Sequence, residues 1–191
     1  MRRLLQWLPN TLTIMRLLLA IPIGFYIARQ EYDLALWLVL GAGLSDGVDG
    51  WLARRLNAMT RFGAIADPLS DKALMSAAFI GLAWVGLIPW WLTAVVIGRD
   101  LIIVCGAVTY HLLVGPVKVS PSRLSKFNTL LQICFSVSLL LNQVFPLLPN
   151  IVFVVGTWLI LAMALVTGAD YVFTWSRKGR QDLHAHLRRN R

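Results

Sequence analysis

Apolar runs of about twenty residues follow one another from Thr13 to Trp175, broken only by short polar intervals, and nothing else in the chain restricts its fold as tightly. A stretch of about 20 apolar residues is what a helix needs to cross the hydrocarbon core of a bilayer. Inside lipid every backbone polar group must be satisfied internally, so only helices and closed barrels qualify. The Leu/Val/Ile/Trp blocks lack the period-two alternation of a barrel strand, so the chain reads as all-α. Composition agrees: 58% of its 191 residues are hydrophobic and only 14% are charged, where a soluble domain carries about a quarter.

The runs resolve into six expected transmembrane helices, at Thr13–Ile27, Asp33–Arg54, Ala64–Val85, Pro89–Leu113, Ser125–Val144 and Ile151–Trp175. Ahead of them, Met1–Asn10 reads as a short amphipathic interfacial helix with Leu4, Leu5, Trp7 and Leu8 inward. A cleaved signal peptide is not expected, because no small-residue cleavage site follows and the run from Leu17 continues as a spanning helix. With no internal repeat and no long linker, residues 1–191 are expected to form a single membrane-embedded domain. Its core covers residues 9–176, and residues 177–191 make a basic cytoplasmic tail.

The net charge is +9, which in a soluble protein would point to nucleic acid. Here the cations are segregated. Arg2, Arg3, Arg55, Arg61, Lys118, Arg123, Lys126 and the tail from Arg177 to Arg191 fall on one side of the expected bundle; the other side has Arg29 beside Glu31 and Asp33. The positive-inside rule then places both termini in the cytoplasm, and the cations meet anionic lipid. No nucleic-acid partner is expected, and the expected location is a bacterial inner membrane. Cys105 and Cys134 fall inside apolar segments and suggest neither a disulfide nor a zinc site.

Four of the nine acidic residues lie between positions 46 and 71. Asp46 and Asp49 are three apart near the end of the second segment; Asp67 and Asp71 are four apart near the start of the third. Either spacing puts its pair on one helix face, and a short connection should turn the two faces together. Carboxylates at the edge of lipid are costly and mark a functional site by default. Four converging ones repel unless divalent cations lie between them, and oxygen-only ligands suit Mg²⁺, Mn²⁺ or Ca²⁺. Pairing with Arg54, Arg55, Arg61 and Lys72 would account for one or two of these acids, but not for four on matched faces. Gly50, Ala53 and Arg54 continue the Asp46 stripe, and Gly63 leads the Asp67–Asp71 stripe. Small residues let a ligand approach a helix closely, and a planar guanidinium matches phosphate oxygens.

Asp46, Asp49, Gly50, Ala53, Arg54, Gly63, Asp67 and Asp71 match the signature of the CDP-alcohol phosphotransferases at all eight of its fixed positions. A chance match is on the order of one in 10⁸ at ordinary residue frequencies. The chain thus resembles that family, and the six-helix layout extends the resemblance over most of its length. The resemblance implies two Mg²⁺ or Mn²⁺ ions held by Asp46, Asp49, Asp67 and Asp71. It also implies a CDP-linked lipid donor, CDP-diacylglycerol, and an alcohol acceptor, with Asp71 as the catalytic base and CMP as leaving group. Gly50, Arg54 and Thr60 match positions that contact nucleotide and phosphates, Ala53 and Gly63 leave room for cytidine, and Asn10 and Thr13 join the donor site. Relatives form homodimers.

For the acceptor, the runs Pro9–Arg16 and Ile97-Gly98-Arg99-Asp100 resemble both phosphatidylglycerophosphate synthases and eukaryotic-type cardiolipin synthases. Arg99 inside a membrane segment suggests an anionic partner, and a plain Arg99–carboxylate bridge is the alternative. Relatives that use glycerol-3-phosphate read Gly-Lys-x-Lys-Thr-x-x-Gln where this chain has Ser125-Lys126-Phe127-Asn128-Thr129-Leu130-Leu131-Gln132. The form with asparagine resembles cardiolipin synthases. Arg99, Arg123, Lys126 and Asn128 are therefore expected at the acceptor, with phosphatidylglycerol favoured over glycerol-3-phosphate. A transporter would place its site at the midplane between inverted repeats, and a scaffold has no use for a second aspartate pair.

Overall fold

The computed structural model describes residues 2–55, 61–113 and 123–189, and side chains within 14–45, 69–109 and 124–171 apart from residues 16 and 107. Six helices account for them: α1 (Arg2–Ala28), α2 (Tyr32–Arg55), α3 (Arg61–Trp84), α4 (Trp90–Leu113), α5 (Arg123–Val144) and α6 (Asn150–Arg189). No strand occurs among the described residues. Where α2 to α5 begin and end differs from the expected segments by at most three residues.

One expectation is corrected at the start of the chain. The interfacial helix expected at Met1–Asn10 is not separate, because α1 runs unbroken from Arg2 through Pro9 to Ala28. One amide hydrogen bond is lost at Pro9, which disturbs less than exposing several more by opening the helix. At the other end α6 continues past Trp175, where the last expected span stops, to Arg189 over 40 residues. Residues 176–189 are rich in Arg, Lys, Gln, Leu and Ala, which favour helix, and lack proline. At 1.5 Å per residue α6 is about 60 Å long, twice the bilayer core.

Successive helices run antiparallel, and the turns joining them at one end are tight. At α1–α2 the Gln30 amide donates to the Ile27 carbonyl and Glu31 to Tyr26; at α3–α4 Gly86 donates to Ala83 and Leu87 to Leu82, all within 2.9–3.1 Å. Both are the paired hydrogen bonds of a left-handed helix cap. Gly86 sits at φ 78° without strain, whereas Gln30 adopts φ 62° with a side chain. At α5–α6 the Asn142 Oδ1 accepts from the Leu148 amide at 2.8 Å. The opposite end carries the starts of α3 and α5 and the ends of α2 and α4.

α1 and α3 lie closest together. A Cβ at Gly81 would stand 3.0 Å from the Ile27 Cβ, and one at Gly24 would stand 3.3 Å from the Ala77 carbonyl oxygen. Small residues allow such approach between helices. α5 meets α6 in the same way, since a Cβ at Gly156 would fall 2.7 Å from the Phe135 ring. Ile23, Ile27, Phe79, Leu82, Leu92, Leu140 and Ile160 are fully buried at the centre. Much of the outer surface is apolar as well. Leu124–Val144 and Asn150–Tyr171 are long and apolar enough to cross a membrane, and only 33% and 17% of those windows are buried. A core helix of a soluble protein would be mostly buried.

Candidate active site

Asp71 lies in the third turn of α3, partly buried, with Met75 one turn further on. It lines a cavity of about 440 Å³ between α3, α4 and α5. A second cavity, of about 110 Å³, touches Asp71 on the other side and is walled by Val39, Ala42 and Gly43 of α2. Thr129 and Ile133 of α5 line both. Asp71 therefore stands where α2, α3, α4 and α5 converge, near the end of the bundle opposite the tight turns.

Asp46, Asp49, Gly50, Ala53 and Arg54 follow Gly43 on α2, and Gly63 and Asp67 precede Asp71 on α3. Their helical positions are given, but their side chains lie outside the described residues, as do those of Asn10, Thr13 and Arg123. Thr60 lies outside them altogether. Among the described residues no cluster of three or more His, Cys, Asp or Glu occurs. Asp71 offers carboxylate oxygen to a wall that contains neither cysteine nor histidine. That donor chemistry fits a hard divalent cation.

Three polar residues of the larger cavity, Lys72, Asp100 and Ser125, are tied together through one another or through Arg99. Asp100 Oδ1 accepts from Arg99 Nη1 at 2.6 Å and pairs with Lys72 Nζ at 3.3 Å. Arg99 Nη2 donates to Ser125 Oγ at 2.9 Å and Arg99 Nε to Thr167 Oγ1 at 3.2 Å. Thr167 in turn donates to the Met163 carbonyl at 2.7 Å. One buried guanidinium and one carboxylate thus join α3, α4, α5 and α6.

Of the residues expected at the acceptor, Lys126 is exposed and lines the larger cavity. Arg99 stands behind its wall. All three guanidinium nitrogens are engaged, one of them in a carboxylate bridge to Asp100, and the side chain is 5% exposed. Asn128 is fully buried and is not among the lining residues. Seven residues separate it from Phe135, so it faces the side of α5 that packs on α6.

Four wall residues, Lys72, Asp100, Thr129 and Gln132, are not among the candidates the sequence supplies. Lys72 was read only as a helix-end counter-charge, and Asp100 only as part of a motif. Thr129 and Gln132 continue the stripe that begins at Ser125, a spacing of four and three residues on one face of α5. That periodicity was the available signal.

A family model for CDP-alcohol phosphatidyltransferase matches residues 6–169. The chain is 29% identical over 187 residues to human cardiolipin synthase (CMP-forming), an alignment covering 90% of this chain and 62% of that protein. It is 33% identical over 148 residues to a probable cardiolipin synthase (CMP-forming) of Drosophila melanogaster, covering 69% of this chain and 46% of the relative. The chain thus spans about half to three fifths of the length of these animal relatives. It is 34% identical over 188 residues to the CDP-diacylglycerol–glycerol-3-phosphate 3-phosphatidyltransferase of Bacillus subtilis, covering 86% of this chain and 92% of that one. With the family model covering residues 6–169 and Asp71 set at a cavity among four helices, the chain belongs to the CDP-alcohol phosphatidyltransferase family.

Proposed function

We propose that this protein transfers a phosphatidyl group from CDP-diacylglycerol to the hydroxyl of phosphatidylglycerol, giving cardiolipin and CMP. The observation that carries the acceptor is the charge and shape of the Asp71 cavity. Among the described lining residues two acids, Asp71 and Asp100, balance two bases, Lys72 and Lys126, and Lys72 is bound to Asp100. A phosphomonoester would bring close to two negative charges into this poorly screened space and needs an excess of cations. A glycerol headgroup on a phosphodiester brings one, which Lys126 can meet. The cavity is also flanked by Leu130 and Ile133, which are 56% and 40% exposed on the apolar outer face. That flank suits a lipid arriving sideways.

In the proposed reaction the acceptor hydroxyl oxygen attacks the phosphorus of the donor that carries diacylglycerol. The bond from that phosphorus to the CMP oxygen breaks, CMP leaves with the electron pair, and Asp71 takes the hydroxyl proton. Asp46, Asp49, Asp67 and Asp71 would hold two Mg²⁺ or Mn²⁺ ions, which when bound stabilise negative charge on attacking and leaving oxygens. Gly50, Ala53, Arg54, Thr60 and Gly63, with Asn10 and Thr13, would hold the CDP moiety.

A second reading is synthesis of phosphatidylglycerophosphate from glycerol-3-phosphate, favoured by the 92% coverage of the Bacillus relative. Purified protein in CDP-diacylglycerol vesicles, given each acceptor in turn, separates the two by the mass of the lipid product. Cardiolipin is expected, with little phosphatidylglycerophosphate, and excess EDTA should stop turnover until Mg²⁺ or Mn²⁺ is restored. Rapid phosphatidylglycerophosphate formation without cardiolipin would overturn the first reading, and full activity in EDTA would overturn the metal site.

We further propose that all six helices span the membrane, with both termini cytoplasmic. Exposed Trp84, Trp90 and Trp91 flank the α3–α4 turn, and Trp37 and Trp158 lie within a few turns of the same end. Such a ring suits the headgroup level of one leaflet. After replacement of Cys105 and Cys134, an impermeant thiol reagent should label a cysteine at Gln30 from outside and one at Gln181 only after lysis. The reverse pattern would overturn the orientation.

A further inference from the structure

Two side-chain amides on consecutive turns of α5 are buried without hydrogen-bond partners. Gln132 is 2% exposed with Nε2 unpaired; Asn128 is 0% exposed with both Nδ2 and Oδ1 unpaired. A buried amide without a partner is unfavourable, more so where hydrocarbon rather than water surrounds the protein. The hydroxyls around them are satisfied locally. Thr129 Oγ1 donates to the Ser125 carbonyl at 3.1 Å, and Ser136 Oγ donates to the Gln132 carbonyl at 2.9 Å. Leucine or methionine at 132 would fill similar volume without that penalty, and the next residues on this face, Phe135 and Leu139, are apolar. The amide is held where packing alone does not call for one.

Gln132 differs from Asn128 in one respect: it lines the cavity that Asp71 also lines. Its side-chain amide therefore stands at the wall of the space where the acceptor is proposed to bind. The acceptor's reacting end is a primary hydroxyl next to a secondary one, a vicinal diol, and this is common to phosphatidylglycerol and glycerol-3-phosphate. An uncharged amide suits a neutral hydroxyl and adds no charge to the described wall. We propose that the side-chain amide of Gln132 hydrogen-bonds the secondary hydroxyl of this diol while Asp71 receives the proton of the primary one. Two-point binding of this kind fixes which oxygen attacks. The assignment rests on the proposed transfer to a glycerol hydroxyl, but not on which of the two acceptors is used.

The test removes each partner in turn. For wild-type protein, the acceptor lacking the secondary hydroxyl (phosphatidyl-1,3-propanediol, or 3-hydroxypropyl phosphate if glycerol-3-phosphate is the substrate) should show a KM about tenfold higher than the diol, the size of one neutral hydrogen bond. Gln132→Met should raise the KM for the diol by a similar factor, leave that for CDP-diacylglycerol unchanged, and abolish the discrimination between diol and deoxy acceptor. Its melting temperature without acceptor should be unchanged or higher, because an unpaired amide has been replaced by an apolar group. A wild-type enzyme that does not distinguish the two acceptors overturns the proposal whether or not the variant folds. So does a variant that keeps the discrimination, or one that melts lower with its acceptor KM unaltered, which would make Gln132 a structural residue. Failure of the proposed acceptor shows separately, in the identity of the lipid formed by the wild type.

Discussion

Asp71→Asn is expected to slow CMP release by about 10²- to 10⁴-fold, the contribution of a positioned general base, while the helix bundle still forms. Asn keeps the size and shape of Asp, and Asp71 is only partly buried at a cavity wall, so little packing is disturbed. What the amide lacks is the ability to accept the proton of the attacking hydroxyl, and the negative charge that a cation at this position requires. The measurement is single-turnover CMP release in vesicles, with circular dichroism and size-exclusion profiles confirming the fold. Turnover near the wild-type rate at neutral pH would mean that another group takes the proton. A variant that fails to fold would mean that Asp71 supports the bundle itself.

Asp100→Ala is expected to be among the most destabilising single substitutions in the described region, at about 3 kcal/mol. Removing one member of a buried ion pair typically costs about 3–5 kcal/mol because its partner is left uncompensated. Asp100 has two partners, Arg99 at 2.6 Å and Lys72 at 3.3 Å. The Lys72 side chain is 27% exposed, which places the effect at the lower end of that range. Arg99 would lose its carboxylate while keeping Ser125 and Thr167, so the damage should centre on the joining of α3 to α4. Thermal unfolding of purified protein reads this directly. A triple replacement of Lys72, Arg99 and Asp100 by Met, Met and Leu should be milder, since apolar side chains of similar volume leave no buried charge unpaired. If Asp100→Ala melts with the wild type, the network contributes nothing to holding the four helices.

The two substitutions separate roles that a position in the sequence does not. Asp71 and Asp100 are both acids in apolar helices and both line the same cavity. Asp100 is bound by two basic side chains, one on its own helix and one on α3. An activity loss with a normal melting curve belongs to the first residue, and a lowered melting curve to the second.

Helix type, the six main helical runs and the family were all legible from residues in order along the chain. Apolar runs, glycine at a left-handed cap such as Gly86, and an eight-position motif are local features, and local features are set by backbone hydrogen bonding, side-chain size and spacing. The end of α6 was not legible because an apolar run marks the width of a bilayer, not where a helix stops. The unbroken start of α1 was not legible, because Pro9 carries a signal that stops or loosens a helix in isolation, and whether it does so depends on what surrounds the helix. The partners of Arg99 were open for a similar reason. A buried guanidinium takes whichever acceptors the packing brings to it, and Ser125 and Thr167 lie 26 and 68 residues away. By itself the sequence determined which residues could do chemistry, among them Asp71, since residue type decides which groups can accept a proton or donate oxygen to a cation. Only the tertiary structure decided that Lys126 and Gln132 line the cavity while Asn128 does not, because helices 3, 4 and 5 define a wall only once they are packed.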